Sequence, residues 1–458
     1  MFNKYRNPIW PVKERIAGLL GKMTLEEKAG QLTQAFGWKA YVKNCDKVEL
    51  TEEYKRILSG NGIGSIYGLL RADPWTQVTL ETGLSLRQGA EIANTIQKFV
   101  LENTRLGIPI LFGEECSHGH MAIGATVFPV PIAMAGSWNT KLMERVCRAI
   151  AAETRAQGGT ATYSPVLDVV HDPRWGRTEE TFGEDPYLCS KMGEAAVKGL
   201  QGENLASDSS IVATIKHFAA YGAPEGGHNC APVHAGRREL REVFLKPFEC
   251  AVKTGAQSVM ASYNEIDGIP CTCSRELLTD ILRDEWGFEG FVISDMGAVK
   301  MLVEGHKVAA TIEEAACMAL EAGIDMEMSG EAFAGSLVSA VREGRLTESL
   351  LDRAVGRVLR VKFMLGLFEN PFVDPDKAEK VIGCHEYKQL ALETARECII
   401  LLKNEGRILP LDKNIKSIAV IGPNADSVYN QLGCRTFIWI WLWSELYKLQ
   451  IWKLENAT

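Results

Sequence analysis

Between residues 63 and 328 the chain repeats one alternation: a short apolar run, too brief for a helix, then a stretch whose apolar residues recur every three or four positions. This is the pattern of βαβ units, parallel strands covered by amphipathic helices. Strands are expected at 63–67, 108–112, 162–166, 211–217, 258–263, 291–295 and 324–328. Leu86, Ala90, Ala93, Ile96 and Val100 show the helical spacing between two of them. Seven such units, with an eighth of irregular sequence, point to a (β/α)8 TIM-like barrel rather than an open sheet. The first strand is followed by no Gly-x-Gly-x-x-Gly, which argues against a dinucleotide fold.

Two more helices, expected at 331–342 and 347–365, complete a first domain over 1–368. Pro371 and Pro375 then break the helical pattern and mark 369–385 as a linker. A helix at 387–404 and a strand at 417–422 open a second α/β unit over 386–433, which is left incomplete. From 434 to 458 the character changes, with four of the ten tryptophans in the last twenty residues. The apolar run there is shorter than the ~20 residues that a helix needs to cross a bilayer. A frameshifted or artificial end is the expectation for this Trp-rich tail.

The net charge of −8 comes from interspersed acids and bases, with no basic stripe to track a phosphate backbone, so nucleic acid is not an expected partner. No apolar run behind Lys4 and Arg6 is long enough for a signal peptide, and neither membrane insertion nor export is expected. A cytoplasmic location follows. The twelve cysteines are scattered, and Cys271-Thr272-Cys273 has the wrong spacing for a usual zinc or redox motif. They are expected to be free thiols. No metal-ligand set and no cofactor motif is recognisable, and a homo-oligomer is compatible with this composition.

Polar residues gather where the expected strands run out. Asp295 ends Phe291-Val292-Ile293, bounded by Gly290 and Gly297. Glu114 and Glu115 follow 108–112, and Asp168 leads from its strand into a dense polar loop over 171–180. Lys216 and His217 end 211–217, and Tyr263 and Asn264 end 258–263. In a parallel barrel these positions converge on the C-terminal rim, where active sites are built. Each has a plainer reading: Asp295 could cap the helix starting near Ala298, and an Asp-Pro-Arg loop is commonly a turn held by its own ion pair. Together, carboxylates, cations and aromatic rings suit a neutral polyhydroxylated ligand, which points to a carbohydrate.

The segments "LGIPILFGEECSHGH" (106–120), "SPVLDVVHDPRWGRTEETFGEDPYL" (164–188), "IKHFAAYG" (215–222) and "GFVISDMGAV" (290–299) resemble, in order, the N-terminal domain of glycoside hydrolase family 3. The likeness spans residues 19–433. It implies a barrel-like catalytic domain, an α/β-sandwich second domain, and exo-acting, retaining hydrolysis of β-linked sugars. By position, Asp295 resembles the nucleophile, and Glu115 the acid that grips hydroxyls far from the broken bond. Arg177, Lys216 and His217 resemble residues that hold hydroxyls of the non-reducing sugar, and Tyr263 the tyrosine beside the nucleophile.

This sequence also departs from the family pattern. The family's general acid/base generally comes from the second domain, beyond the point where family-like text stops here. The expectation is a truncated chain, slower on natural glycosides by about 10²–10⁴. Many glucosidases of the family have Asp where this chain has Glu115, and the extra methylene crowds a glucose hydroxymethyl, favouring a pentose such as xylose. Met296 stands where many members have Trp. The expected activity is therefore that of a β-xylosidase or β-glucosidase acting on terminal β-D-xylosyl or β-D-glucosyl residues.

Three other readings stay open. The family's β-N-acetylglucosaminidases carry a histidine acid/base on a barrel loop, yet here the text after Lys216-His217 is Phe218-Ala219-Ala220-Tyr221-Gly222, and His228 and His234 lack the usual context. A Schiff-base aldolase would use Lys216, provided it has no charge partner. The chain could also be a non-catalytic sugar-binding remnant.

Overall fold

The computed structural model describes residues 4–44, 47–73, 75–328, 332–422 and 425–426. Its centre is an eight-stranded, all-parallel sheet: β1 (Thr33–Phe36), β2 (Ser65–Tyr67), β3 (Leu111–Glu114), β4 (Ala161–Thr162), β5 (Val212–Phe218), β6 (Ser258–Ala261), β7 (Phe291–Ile293) and β8 (Glu327–Met328). Each of β1 to β6 pairs with its successor in the chain, and β8 pairs back onto β1 through Thr33 and Glu327. A parallel bridge between Ile293 and Met326 joins β7 to the start of β8 and closes the ring. The (β/α)8 barrel expected from the sequence is therefore the observed architecture.

Helices cover the outside because their apolar faces need the strands. Leu86–Asn103 buries Ile92, Ile96 and Val100 in one cluster with Ile66, Ile110 and Phe112 of the neighbouring strands. Burying such a side chain is worth about 1.5–3 kcal/mol. Ser85 caps the helix and Gln88 reciprocates, which fixes where it starts.

Seven strands fall within or beside the expected segments, several of them shorter. The eighth, β1, has no apolar run to announce it. Its Gln34 points inward and donates to Ser65 Oγ at 2.7 Å and to the Tyr163 hydroxyl at 2.5 Å, so a polar strand is satisfied by other polar groups inside the barrel. β4 is cut to two residues, and beyond it Val166 bridges Lys216 and Leu167 N donates to Lys216 O at 2.6 Å.

Past the barrel, 369–385 is more ordered than a bare linker. Pro375 sits in the first turn of a helix, Pro375–Val381, where a missing N–H costs nothing, and Asp374 caps it. Asn94 exchanges hydrogen bonds with Val373 (2.8 and 2.9 Å), and Gly383 N donates to the buried Glu153 at 2.7 Å. The helix expected at 387–404 spans His385–Glu397. The strand expected at 417–422 is not formed: residues 417–421 are exposed and, among the described residues, no strand lies beside them to take their hydrogen bonds. Of the Trp-rich tail, all of 434–458 lies outside the described residues. The ten described cysteines are free thiols, while Cys45 and Cys434 lie outside the described residues. No described helix is long and apolar enough to cross a membrane.

The closing seam is held by buried charge. Asp325 accepts Arg283 at 2.5 Å and Val292 N at 2.8 Å through one oxygen, and Arg357 at 2.8 Å through the other. Asp325→Ala would leave the buried Arg283 without its carboxylate, so the free energy of urea unfolding is expected to fall by about 3–5 kcal/mol. A loss of only about 0.5 kcal/mol, typical of a surface substitution, would mean that this ion cluster does not hold the seam.

Candidate active site

β3 ends in two adjacent carboxylates that do different things. Glu114 turns back to accept Leu70 N at 3.2 Å, fixing the loop after β2. Glu115 turns into the barrel mouth, where the Tyr67 hydroxyl donates to it at 3.1 Å and Lys216 Nζ stands 3.5 Å from its other oxygen. Lys216 is buried, and its charge is tolerable there because Glu115 answers it.

The neighbouring His217 is equally buried. Its Nδ1 lies 2.8 Å from Asp168 Oδ2, which also accepts the His217 backbone N–H at 3.1 Å. Burial raises the Asp168 pKa above the usual carboxylate range, opposed by the His217 N–H and the Arg177 charge. The effect of this grip is to aim Nε2 at Asp295, 3.6 Å from its Oδ2.

Asp295 is 6% exposed. Its Oδ1 accepts Met296 N at 2.7 Å, and the helix that follows, Ala298–Glu304, has Gly297 at its N-cap in a left-handed conformation with no side-chain cap. The capping alternative is thereby removed: the carboxylate is not used by the helix. The Tyr263 hydroxyl donates to Met296 O at 3.0 Å, and burial together with the Asp295 charge pushes its pKa up. Arg177 makes a bidentate pair with Glu180 at 2.7 and 2.9 Å. The Asp-Pro-Arg turn is the plainer case, since Arg174 pairs with Asp172 at 2.6 Å on the surface.

Glu115, Arg177, Tyr263 and Asp295 all line one cavity of about 390 Å³ at the C-terminal mouth of the barrel. Lys216 and His217 stand behind Glu115 and Asp295 and hold them. Glu115 follows β3 and Asp295 follows β7, four strands apart in a ring of eight, so they face each other across the opening. Tyr67, Arg71 and Trp75 also line the cavity, and sequence reasoning passed over them. Tyr67 ends β2, so the strand-end rule could have found it; Arg71 and Trp75 lie on the following loop, where no periodicity marks them. His228 and His234 are exposed and are not among the residues lining this cavity. Lys216 has a carboxylate partner, contrary to what a Schiff-base lysine needs. Among the described residues no cluster could hold a metal ion.

Burial pushes Glu114 up to about 8 from an ordinary 4.5, with the Leu70 N–H and Arg71 opposing. Between those pH values the folded protein keeps a proton that the unfolded chain has released. The contribution to stability is therefore full below pH 4.5 and is lost as pH rises through about 8. Glu114→Gln should flatten this slope, so that the variant gains on the parent chain in melting temperature from pH 5 to pH 8; a constant difference between the two would contradict the assignment.

The geometry can be set beside known proteins. The model of the glycosyl hydrolase family 3 N-terminal domain matches residues 24–361, and that of the family's C-terminal domain matches 399–450. A putative β-xylosidase of Formosa agariphila is 39% identical over 432 residues, covering 92% of this chain and 54% of that protein. A periplasmic β-glucosidase of Salmonella typhimurium is 36% identical, over 91% of this chain and 51% of that protein. The solved structure of a β-glucosidase from Erythrobacter marinus superposes with a TM-score of 0.79 at 37% identity, over 90% of this chain and 53% of that one. The chain thus spans about half the length of these relatives. With its barrel and most of its length matched in this way, the chain belongs to glycosyl hydrolase family 3.

Proposed function

We propose that the cavity binds the terminal non-reducing β-D-xylosyl or β-D-glucosyl residue of a glycoside, and that the bond beyond it is hydrolysed with retention of configuration. The observation that carries this is Asp295: a rim carboxylate unused by its helix, faced by His217 Nε2 at 3.6 Å and set across the opening from Glu115. The names of the Formosa and Salmonella relatives, a xylosidase and a glucosidase, support the choice of sugars.

In the first step an Asp295 oxygen forms a bond to the anomeric carbon as the C–O bond to the leaving group breaks, and the electron pair departs with that oxygen. Water then attacks the same carbon, giving up one proton to the solvent, as the ester bond to Asp295 breaks and its carboxylate is regenerated, with the original configuration restored. Glu115 takes hydroxyls at the far end of the ring, held in place by Lys216, and Arg177 takes others nearby. Of the remaining carboxylates lining the cavity, Glu115 is engaged by Lys216 and Glu180 by Arg177. Protonation of the leaving oxygen is assigned to neither. On the described barrel residues alone, glycosides with acidic leaving groups should react, and alkyl glycosides more slowly by about 10²–10⁴.

Turnover of dinitrophenyl β-xyloside, followed by NMR of the first sugar released, tests this reading. The β-anomer should appear first, and Asp295→Asn should lower kcat by about 10³ or more without lowering the melting temperature. Release of the α-anomer first, or a variant as active as the parent, would overturn it.

A further inference from the structure

The loop after β2 supplies cavity residues, Arg71 and Trp75, that lie outside the four motif segments singled out in the sequence. Arg71 is buried, donates to the Tyr67 hydroxyl and pairs with the buried Asp73. Tyr67 in turn donates to Glu115 at 3.1 Å, and Lys216 stands 3.5 Å beyond. The result is a line of alternating charge, Asp73, Arg71, Glu115, Lys216, threaded through one hydroxyl. No member can shift without leaving a buried ion unpaired, so this side of the cavity is rigid.

Trp75 differs from these neighbours because it is 40% exposed. The Arg71 guanidinium lies 4.8 Å over its indole, and Trp38 packs against it edge-on with ring centroids 4.9 Å apart. The ring is braced by Arg71 and Trp38, with Phe36 and Tyr67 at 6.3 Å, and its exposed part borders the cavity and solvent.

We propose that Trp75, acting beside Glu115, sets the choice between a pentosyl and a hexosyl unit. The proposal rests on the glycosidase reading above. A xylosyl and a glucosyl residue differ by one hydroxymethyl group, carried on the ring carbon next to the one whose hydroxyl Glu115 is placed to hold. That substituent is directed to the corner bounded by Glu115, Tyr67, Arg71 and Trp75. Three of these are pinned by the buried charges, so the room available depends on the indole. In its observed place Trp75 narrows the corner, which favours the smaller sugar.

The test is kcat/KM for dinitrophenyl β-xyloside and β-glucoside on the parent chain, Trp75→Ala and Trp75→Phe, with melting curves for each. The half-exposed position makes both variants safe for folding. The parent should prefer the xyloside. Trp75→Ala should move the xyloside-to-glucoside ratio at least about tenfold toward the glucoside, the lower end of what one carbon is worth in a pocket. Trp75→Phe should fall between the two. An equal fall on both sugars would make the ring a general stacking surface and overturn the proposal, as would an unchanged ratio or a parent that prefers the glucoside. A parent inert toward both sugars would overturn the glycosidase reading and this proposal with it; activity with an unmoved ratio would overturn only the proposal.

Discussion

A lysine and a histidine buried side by side at the mouth of a barrel impose the order on everything around them. Lys216 and His217 leave water at a cost of several kcal/mol per charged group unless carboxylates answer them. Glu115 answers the first at 3.5 Å and Asp168 the second at 2.8 Å, while Arg177 is matched by Glu180. Each of these side chains thus has its own carboxylate. Asp295 is held differently: its Oδ1 accepts Met296 N at 2.7 Å, the Tyr263 hydroxyl lies beside its carboxylate, and His217 Nε2 stands 3.6 Å from Oδ2. In the proposed reaction this division of charge leaves one carboxylate to act as the nucleophile while another grips hydroxyls. Short ion pairs on Asp295 would stabilise its charge and blunt its attack.

The barrel was legible wherever a strand is buried among apolar groups, because such strands write themselves as β-branched and aromatic runs. Phe291, Val292 and Ile293 are the plain case. β1 escaped notice for the opposite reason: Gln34 is paid for by Ser65 and Tyr163 inside the barrel, and no local pattern reports a partner so distant in sequence. The segment 417–422 shows the converse error. Its residues have strand character, but a strand exists only with a neighbour to hydrogen-bond, and propensity alone does not supply one.

The site divides in the same way. Glu115, Arg177, Lys216, His217, Tyr263 and Asp295 were found because each stands at or just beyond a strand end or within a family-like segment, and the structure brings all six to one mouth. Position along the chain could not tell that Lys216 and His217 stand behind the lining instead of in it, since adjacent residues differ in depth only once the strands are paired. Nor could it reveal Arg71 and Trp75, whose importance comes from a buried hydroxyl relay and a ring contact that only the folded loop creates.

If Asp295 is the nucleophile of the proposed reaction, its covalent intermediate can be trapped in the folded sugar pocket. The chain would be incubated with 2-deoxy-2-fluoro-β-D-xylosyl fluoride, whose fluoride leaves with little help from an acid, then weighed intact and mapped by peptide. One added fluoroxylosyl group on the peptide carrying Asp295, absent in Asp295→Asn, is expected. A mass that stays unchanged while the variant melts like the parent chain, or an adduct on any other residue, would contradict it.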